Sequence, residues 1–308
     1  MGNLLEGKVV LVSGGGRGVG RDIALQAGLA GAKVMVNDMG TSIGGEGEDD
    51  SVAGAVADEI RAAGGEAAAC TASVTDRAAV AAMIEQCRDE LGGLNHVVNN
   101  AGILRDRMFH RMSDEEWDAV IDVHLNGARN VASAAAATFR QQDSGSFVHM
   151  TSTAGLIGNL GQANYSAAKM GIVGLSRSIS IDMARANVRS NCIAPFALSR
   201  MTETVPSSGG AQKPGEVPYA EKIKKMASEK IPPLVIALGS DAAADITGQI
   251  FAVRGNEIFL MSQPRPLRGI HRAEGWTPEA VLEHAIPAMR SDFYGPDTSR
   301  DVFSWDPI

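Results

Sequence analysis

Tyr165 and Lys169 stand four residues apart in the stretch STAGLIGNLGQANYSAAK, and Ser152 opens the same stretch. On a helix, positions i and i+4 share a face, so the phenol and the amine meet. A free phenol has a pKa of about 10, too high for a base near neutrality. A neighbouring ammonium stabilises the phenolate, so Lys169 is expected to lower that value. A hydroxyl at Ser152 can hydrogen-bond the oxygen of a reacting group. Proton transfer by such a phenol, coupled to hydride transfer, interconverts an alcohol and a ketone. The other residues of the stretch are small. Ala163, Ala167, Gly171 and Gly174 are expected to let a second helix approach closely, which is compatible with a reactive face on the opposite side.

Those groups need a frame. Short apolar runs alternate with segments of helical period: KVVLVSG, AKVMVND, AAACTAS, NHVVNNAG, SFVHMTS, VRSNCIAP and QIFAVRG. Helices are expected between them, from Ile23 to Leu29, Val52 to Ala63 and Arg77 to Leu91, with a long one beginning near Ser113. Such alternation predicts an α/β fold, a doubly wound parallel seven-stranded sheet with helices on both faces. One domain is expected over residues 1–263. Residues 264–308 read as a C-terminal extension whose Trp276, Phe293, Tyr294, Phe303 and Trp305 predict docking on the domain or on a neighbouring subunit. PSSGGAQKPGEVP, at 206–218, reads as a loop.

SGGGRGVG follows the first strand and opens the first helix. Gly14, Gly18 and Gly20 permit a tight turn, close approach of backbone to a pyrophosphate, and close helix–strand packing. Ser13, Arg17 and Val19 complete this phosphate loop, and the helix N-terminus offers N–H groups to phosphate. The combination is that of a Rossmann-type dinucleotide site. Asp38 ends the second strand, where a carboxylate accepts bonds from ribose hydroxyls and repels a 2′-phosphate, which favours NAD over NADP. Arg17 is the contrary signal, as a base able to pair with that phosphate, unless it is simply solvated. Asn100, Ala101 and Gly102, in NNAG, end the fourth strand at the edge where open sheets bind ligands.

A formal charge of −8 and a pI near 5.3 argue against nucleic acid. No apolar run approaches the roughly 20 residues of a membrane span, and no signal peptide is read, so a cytoplasmic protein is expected. Cys70, Cys87 and Cys192 are too scattered for a disulfide framework or a metal site and read as buried free thiols.

SGGGRGVG, Asp38, NNAG, Ser152, NYSAAK and IAP (Ile193–Pro195) together resemble the short-chain dehydrogenase/reductase family over about residues 5–260. The resemblance implies a sheet of order 3-2-1-4-5-6-7, a nicotinamide cofactor and a homo-dimer or homo-tetramer. It implies that Ser152 orients the substrate carbonyl, that Tyr165 is the acid/base, and that Lys169 tunes Tyr165 and holds the nicotinamide ribose. Pro195 and Leu198 would flank the nicotinamide. Ser73, before Val74, stands where the family has an Asp against adenine. His124, in DVHLNG, stands where the family often has an Asn that relays protons to the lysine. A capping box at Ser113 and Glu116 starts this helix, with an apolar stripe at Trp117, Val120, Ile121, Leu125 and Ala128. His124 lies on that stripe, while Asn126 is about 200° from it. His124 is therefore either the relay residue or a satisfied core histidine.

VNDMG with its Gly-rich sequel, AGILRDRMFHRMSDEEWDAVIDVHLNG, GNLGQANYSAAKMGIVGL and IAPFALSRMTETV resemble a narrower subgroup. This is the (3R)-hydroxyacyl-CoA dehydrogenase domains of peroxisomal multifunctional enzyme type 2 and related bacterial enzymes, which share the histidine. That resemblance implies NAD-linked oxidation of a 3-hydroxyacyl-CoA or a steroid-like alcohol. The alternatives are an NADPH-dependent 3-oxoacyl thioester reductase and a non-catalytic NAD-binding scaffold.

Overall fold

The computed structural model describes residues 3–197 and 225–307. Strands β1 (Val9–Ser13), β2 (Lys33–Asn37), β3 (Glu66–Cys70), β4 (His96–Asn99), β5 (Gly145–Met150), β6 (Val188–Phe196) and β7 (Ile250–Arg254) pair in parallel. The sheet order is β3-β2-β1-β4-β5-β6-β7-β8. The eighth strand, β8 (Glu257–Leu260), departs from the expected seven. It pairs antiparallel with β7 across Gly255 and Asn256. Gly255 has φ +59, the left-handed conformation that a two-residue hairpin loop demands. The dipeptide Gly-Asn inside RGNEIFL carries that turn.

Alternate residues of one strand face opposite layers, and the core obeys that period. Val10 and Val12 join a layer with Ile23, Val56 and Ile60, whereas Val9 and Leu11 join Met83, Cys87 and Phe139 on the other side. The first layer is built by helices α1 (Gly18–Leu29) and α2 (Ser51–Ala62), the second by α3 (Arg77–Leu91) and α5 (Gly127–Gln141). Each fully buried aliphatic side chain contributes roughly 1.5–3 kcal/mol. The sheet and its covering helices therefore hold the frame, and the loops at its carboxyl edge are free to carry chemistry.

Helix α4 (Asp114–Ile121) starts with the expected capping box, Ser113 with Glu116. It does not run straight into α5. Asp122–Asn126 form a π turn, with i→i+5 bonding, and His124 sits inside it. Two short-range elements then bring the remaining groups to the edge: α6 (Thr153–Leu156), capped by Ser152, and α7 (Ala163–Asp182). The four small residues of α7 do not form one packing face within the chain. A Cβ on Gly171 would meet Leu125 at 2.9 Å, but Ala167 is exposed and Gly174 has nothing within 4 Å. α8 (Pro232–Gly239) packs on α1 and β5. Among the described residues, no helix is long and apolar enough to cross a membrane. Cys87 and Cys192 are buried free thiols, and Cys70 is only half-buried.

Candidate active site

β1 and β4 are neighbours although two strands, β2 and β3, separate them in the chain, so the direction of winding reverses between them. A crevice opens at the carboxyl end of such a switch point. Ser13 stitches its walls together: its hydroxyl lies 3.3 Å from the Val98 carbonyl and accepts the N–H groups of Asn100 and Ala101 at 3.1 and 3.2 Å. The Asn100 amide donates back to the carbonyls of Ser13 and Gly14 at 3.2 and 2.9 Å.

The glycine loop fits a dinucleotide. Gly14 and Gly18 have φ +64 and +52, and a Cβ on Gly20 would lie 2.0 Å from the Gly14 carbonyl oxygen. A side chain on Gly16 would strike Val52 at 2.3 Å. Arg17 is the extended N-cap of α1 and gives the helix no side-chain acceptor, so phosphate is a suitable partner for its first N–H groups. Val19 lies within that first turn. Asp38 is pinned at the rim, with one carboxylate oxygen accepting Gly16 N–H at 2.9 Å and the other Gly40 N–H at 2.7 Å. Arg17 is partly exposed but engaged: its guanidinium donates to the Thr41 carbonyl at 3.1 Å and lies 3.8 Å from Asp49. The Met39–Asp50 loop occupies it. On the other wall, Ser73 hydrogen-bonds Thr75 at 2.9 Å, and Val74 is buried with its carbonyl held by Asn130. Pro195 pairs with Val253 near the end of β6. Leu198 and the 206–218 loop lie outside the described residues.

Ser152, Tyr165, Lys169 and His124 converge beside this crevice. Burial pushes the Tyr165 phenol up to about 12, against a smaller downward pull from the neighbouring Ser152 side chain. Lys169 is buried, and burial lowers its amine to about 7. Its Nζ donates to the Met150 carbonyl at 2.7 Å and lies 5.4 Å from the centre of the tyrosine ring. The expected lowering of Tyr165 by Lys169 is thus not what the geometry gives. The amine is aimed at a backbone carbonyl, and desolvation dominates both groups. The Thr151 hydroxyl donates to the Lys169 carbonyl at 2.7 Å, fixing the lysine's turn of α7 to β5.

His124 is fully enclosed. Its ring stands edge-on to Tyr165, with centroids 5.1 Å apart and an interplanar angle of 88°. Nε2 accepts the Ile103 N–H at 3.1 Å and also lies 2.7 Å from the Ile103 carbonyl, to which it donates in the tautomer that carries its proton there. Nδ1 has no hydrogen-bond partner among the described residues. The ring lies so close to Gly102 that a Cβ there would reach His124 Cε1 at 2.2 Å. Burial and the Lys169 charge hold the imidazole well below its ordinary pKa, so it is neutral. Asn126 instead faces outward and binds Asp122 at 2.6 Å. A cavity of about 10 Å³, enough for one water, is lined by Ser13, Asn99, His124 and Lys169 among others.

Sequence reasoning missed several neighbours. Asp106 raises the pKa of Tyr165, and Gln162 donates to its carboxylate at 2.8 Å. Asn164 ties α7 to the carbonyls of Arg105 and Glu116 at 3.0 and 2.9 Å. Asn99 bridges the Ala128 carbonyl and His149. Only the NNAG motif hinted at any of these, through Asn99.

A family model described as short chain dehydrogenase matches residues 8–209. The chain belongs to the short-chain dehydrogenase family, whose members bind a nicotinamide cofactor, and it is an oxidoreductase acting on CH–OH groups. Over 279 residues it is 40% identical to the peroxisomal hydratase-dehydrogenase-epimerase of Neurospora crassa, covering 90% of this chain but 30% of that one. The chain thus spans about a third of the length of that multifunctional relative. It is 37% identical to the hydroxyacyl-CoA dehydrogenase ChsB1 of Mycobacterium tuberculosis, covering 98% of this chain and 93% of that protein. The crystal structure of a short chain dehydrogenase from Mycobacterium avium superimposes with a TM-score of 0.82 at 36% identity, covering 96% and 98% of the two chains.

Proposed function

We propose that the protein is an NAD-dependent dehydrogenase that interconverts the secondary alcohol and the ketone of a 3-hydroxyacyl-CoA or a steroid-like molecule. The observation that carries this reading is the convergence of Ser152, Tyr165 and Lys169 beside the dinucleotide crevice, with the lysine amine 5.4 Å from the centre of the tyrosine ring. Similarity to a relative named hydroxyacyl-CoA dehydrogenase supports the substrate class.

Gly14, Gly18, Val19 and Gly20 hold the pyrophosphate, and Asp38 holds the adenosine ribose. Ser73, Val74, Asn100, Ala101 and Gly102 flank the adenosine side, and Pro195 the nicotinamide. The bound cofactor supplies a hydride acceptor and, when oxidised, a positive charge that favours phenolate. Ser152 donates its hydroxyl proton to the substrate oxygen and orients it. Tyr165 Oη takes the alcohol proton during oxidation and returns it during reduction. Lys169 Nζ, now on Met150, binds the nicotinamide ribose and supplies the next proton position. His124 Nδ1 extends that path, because the cavity between it and Lys169 has the volume and polar lining to seat one water. Asp38 at the rim and the engagement of Arg17 by Thr41 and Asp49 favour NAD over NADP and weigh against an NADPH-dependent thioester reductase. We place the enzyme in the cytoplasm, where free thiols persist, as a homo-dimer or homo-tetramer.

NADH formation with 3-hydroxyacyl-CoAs of several chain lengths, hydroxysteroids and simple secondary alcohols tests the reading. The acyl-CoAs or hydroxysteroids should be preferred. Turnover of none of them, in protein that binds NAD, contradicts it.

A further inference from the structure

Two connecting segments meet where the chain enters α7: residues 103–112, which follow β4, and the loop 157–162, which leads from α6 toward Tyr165. Arg107 and Gln162 form an isolated parallel bridge, and the Arg107 N–H donates to the Gly161 carbonyl at 2.8 Å. Gly161 has φ +72 at that crossing, a conformation that favours glycine. The tail braces the other end of the loop, where the Gly158 carbonyl accepts the Ser299 N–H at 3.1 Å. Further along, the tail is held by Phe303 against Phe196 and by Trp305 under Arg254.

Gln162 is the N-cap of α7, yet its side chain caps nothing. A capping side chain normally accepts a backbone N–H of the first turn. Here the amide is only 5% exposed and is turned across the crossing instead. Its Nε2 donates to Asp106 Oδ2 at 2.8 Å, and its Oε1 accepts the Asn159 amide at 2.8 Å. A carboxylate can only accept, so Asp106 fixes which way round the buried amide lies. Two residues on, Asn164 is fully buried; it holds the Arg105 and Glu116 carbonyls and accepts the Tyr165 N–H at 2.7 Å. Tyr165 is the third residue of α7, so the segment after β4 grips the helix immediately before the phenol.

Asp106 keeps solvent on one side, and partial burial raises its carboxyl above the ordinary value. The charged groups around it are engaged elsewhere. Arg105 donates to the Gly44 carbonyl at 3.0 Å, and Arg107 pairs with Glu116 of α4 at 2.8 Å. From α7, Lys169 is directed to the Met150 carbonyl, and from the π turn His124 is neutral. The loop 153–162 carries no charged side chain. Among the described residues Asp106 therefore has no ion pair to offset its charge. Burial is the main cause of the raised Tyr165 pKa, and the Asp106 carboxylate adds to it.

We propose that Asp106 is a positioning residue for the reaction: by holding Gln162 it fixes the first turn of α7 and, with it, the Tyr165 phenol. This rests on the reading of Tyr165 given above. Without the carboxylate, a buried amide loses its acceptor and the loop before the phenol loses its fixed course.

Full-length Asp106→Ala and Asp106→Asn test this. In Asp106→Ala, kcat for NAD-linked oxidation should fall about tenfold, with KM for the alcohol and Kd for NAD within about twofold of wild type. Asp106→Asn keeps an oxygen that accepts the Gln162 amide and removes the charge. It should restore kcat at its optimum to within about twofold and move the alkaline limb of the kcat profile to lower pH by about half a unit. A residue that served stability alone would move neither kcat nor the limb. With active wild-type enzyme, a folded Asp106→Ala protein with full kcat overturns the proposal and leaves the functional reading intact, as does an unmoved limb in Asp106→Asn. If Asp106→Ala fails to fold, the limb in Asp106→Asn decides. A wild-type protein that binds NAD but oxidises no substrate overturns both readings together.

Discussion

His124 stands edge-on to Tyr165, 5.1 Å between ring centres, while its Nε2 is engaged by the backbone of Ile103. The histidine thus touches the phenol's surroundings with one unpartnered ring nitrogen, Nδ1, and lines the cavity it shares with Lys169. His96 and His149 also leave one buried ring nitrogen without a partner, so what sets His124 apart is its place beside Tyr165 and Lys169. His124→Ala should therefore lower kcat about tenfold or more and change its pH dependence, with the Kd for NAD retained. Gly102→Ala, whose Cβ would drive into the ring, should reproduce the kcat loss. Full turnover across pH in a stable His124→Ala protein contradicts the relay.

Asp38 accepts from Gly16 and Gly40, so its carboxylate is held where the ribose hydroxyls would lie. Charged hydrogen bonds of this kind contribute about 1.5–3 kcal/mol each, so Asp38→Asn should raise KM for NAD about 10- to 100-fold. The loss of charge should narrow the preference over NADP. Parallel NADH and NADPH kinetics measure it, and an unchanged preference would remove Asp38 from the selectivity argument.

Acid should unfold the protein through its buried histidines. Burial lowers His96 to about 3 and His149 to about 4, and holds His124 well below its ordinary value. The unfolded chain takes these protons near 6.5, whereas the folded chain refuses them. Their contribution is complete above pH 6.5 and is lost as pH falls toward 4, by up to about 1.4 kcal/mol per pH unit for each histidine. Lys169, lowered to about 7 from 10.5, acts with the same sign in the alkaline window between those values. Urea midpoints near neutrality and near pH 5 measure the slope. His149→Gln should flatten it, and an equal slope in that variant would place the acid sensitivity elsewhere.

The parts of the site that local sequence makes were legible. The glycine loop, Asp38, NNAG and the Tyr165–Lys169 pair each sit where strand, turn and helix signals put them, because their chemistry needs only neighbours in the chain. The helical-wheel reading also put His124 inward and Asn126 outward, although the π turn at Asp122–Asn126 breaks the 100° step on which a wheel depends. What was not legible depends on partners far along the chain. Arg17 is turned by carbonyls at residues 40 and 41, and Lys169 by the Met150 carbonyl. The landing place of the aromatic tail required Gly158, Phe196 and Arg254 together. β8 was missed for another reason: its Gly-Asn turn was present in the sequence but stood behind a run already assigned as the last strand.

The central claim is that the Tyr165 phenol moves the proton of the alcohol. Tyr165→Phe removes one oxygen and keeps the ring against His124. NADH formation from a 3-hydroxyacyl-CoA should fall by about 10²-fold or more in this variant while the Kd for NAD stays at the wild-type value. A Tyr165→Phe protein that makes NADH as fast as wild type would contradict the account.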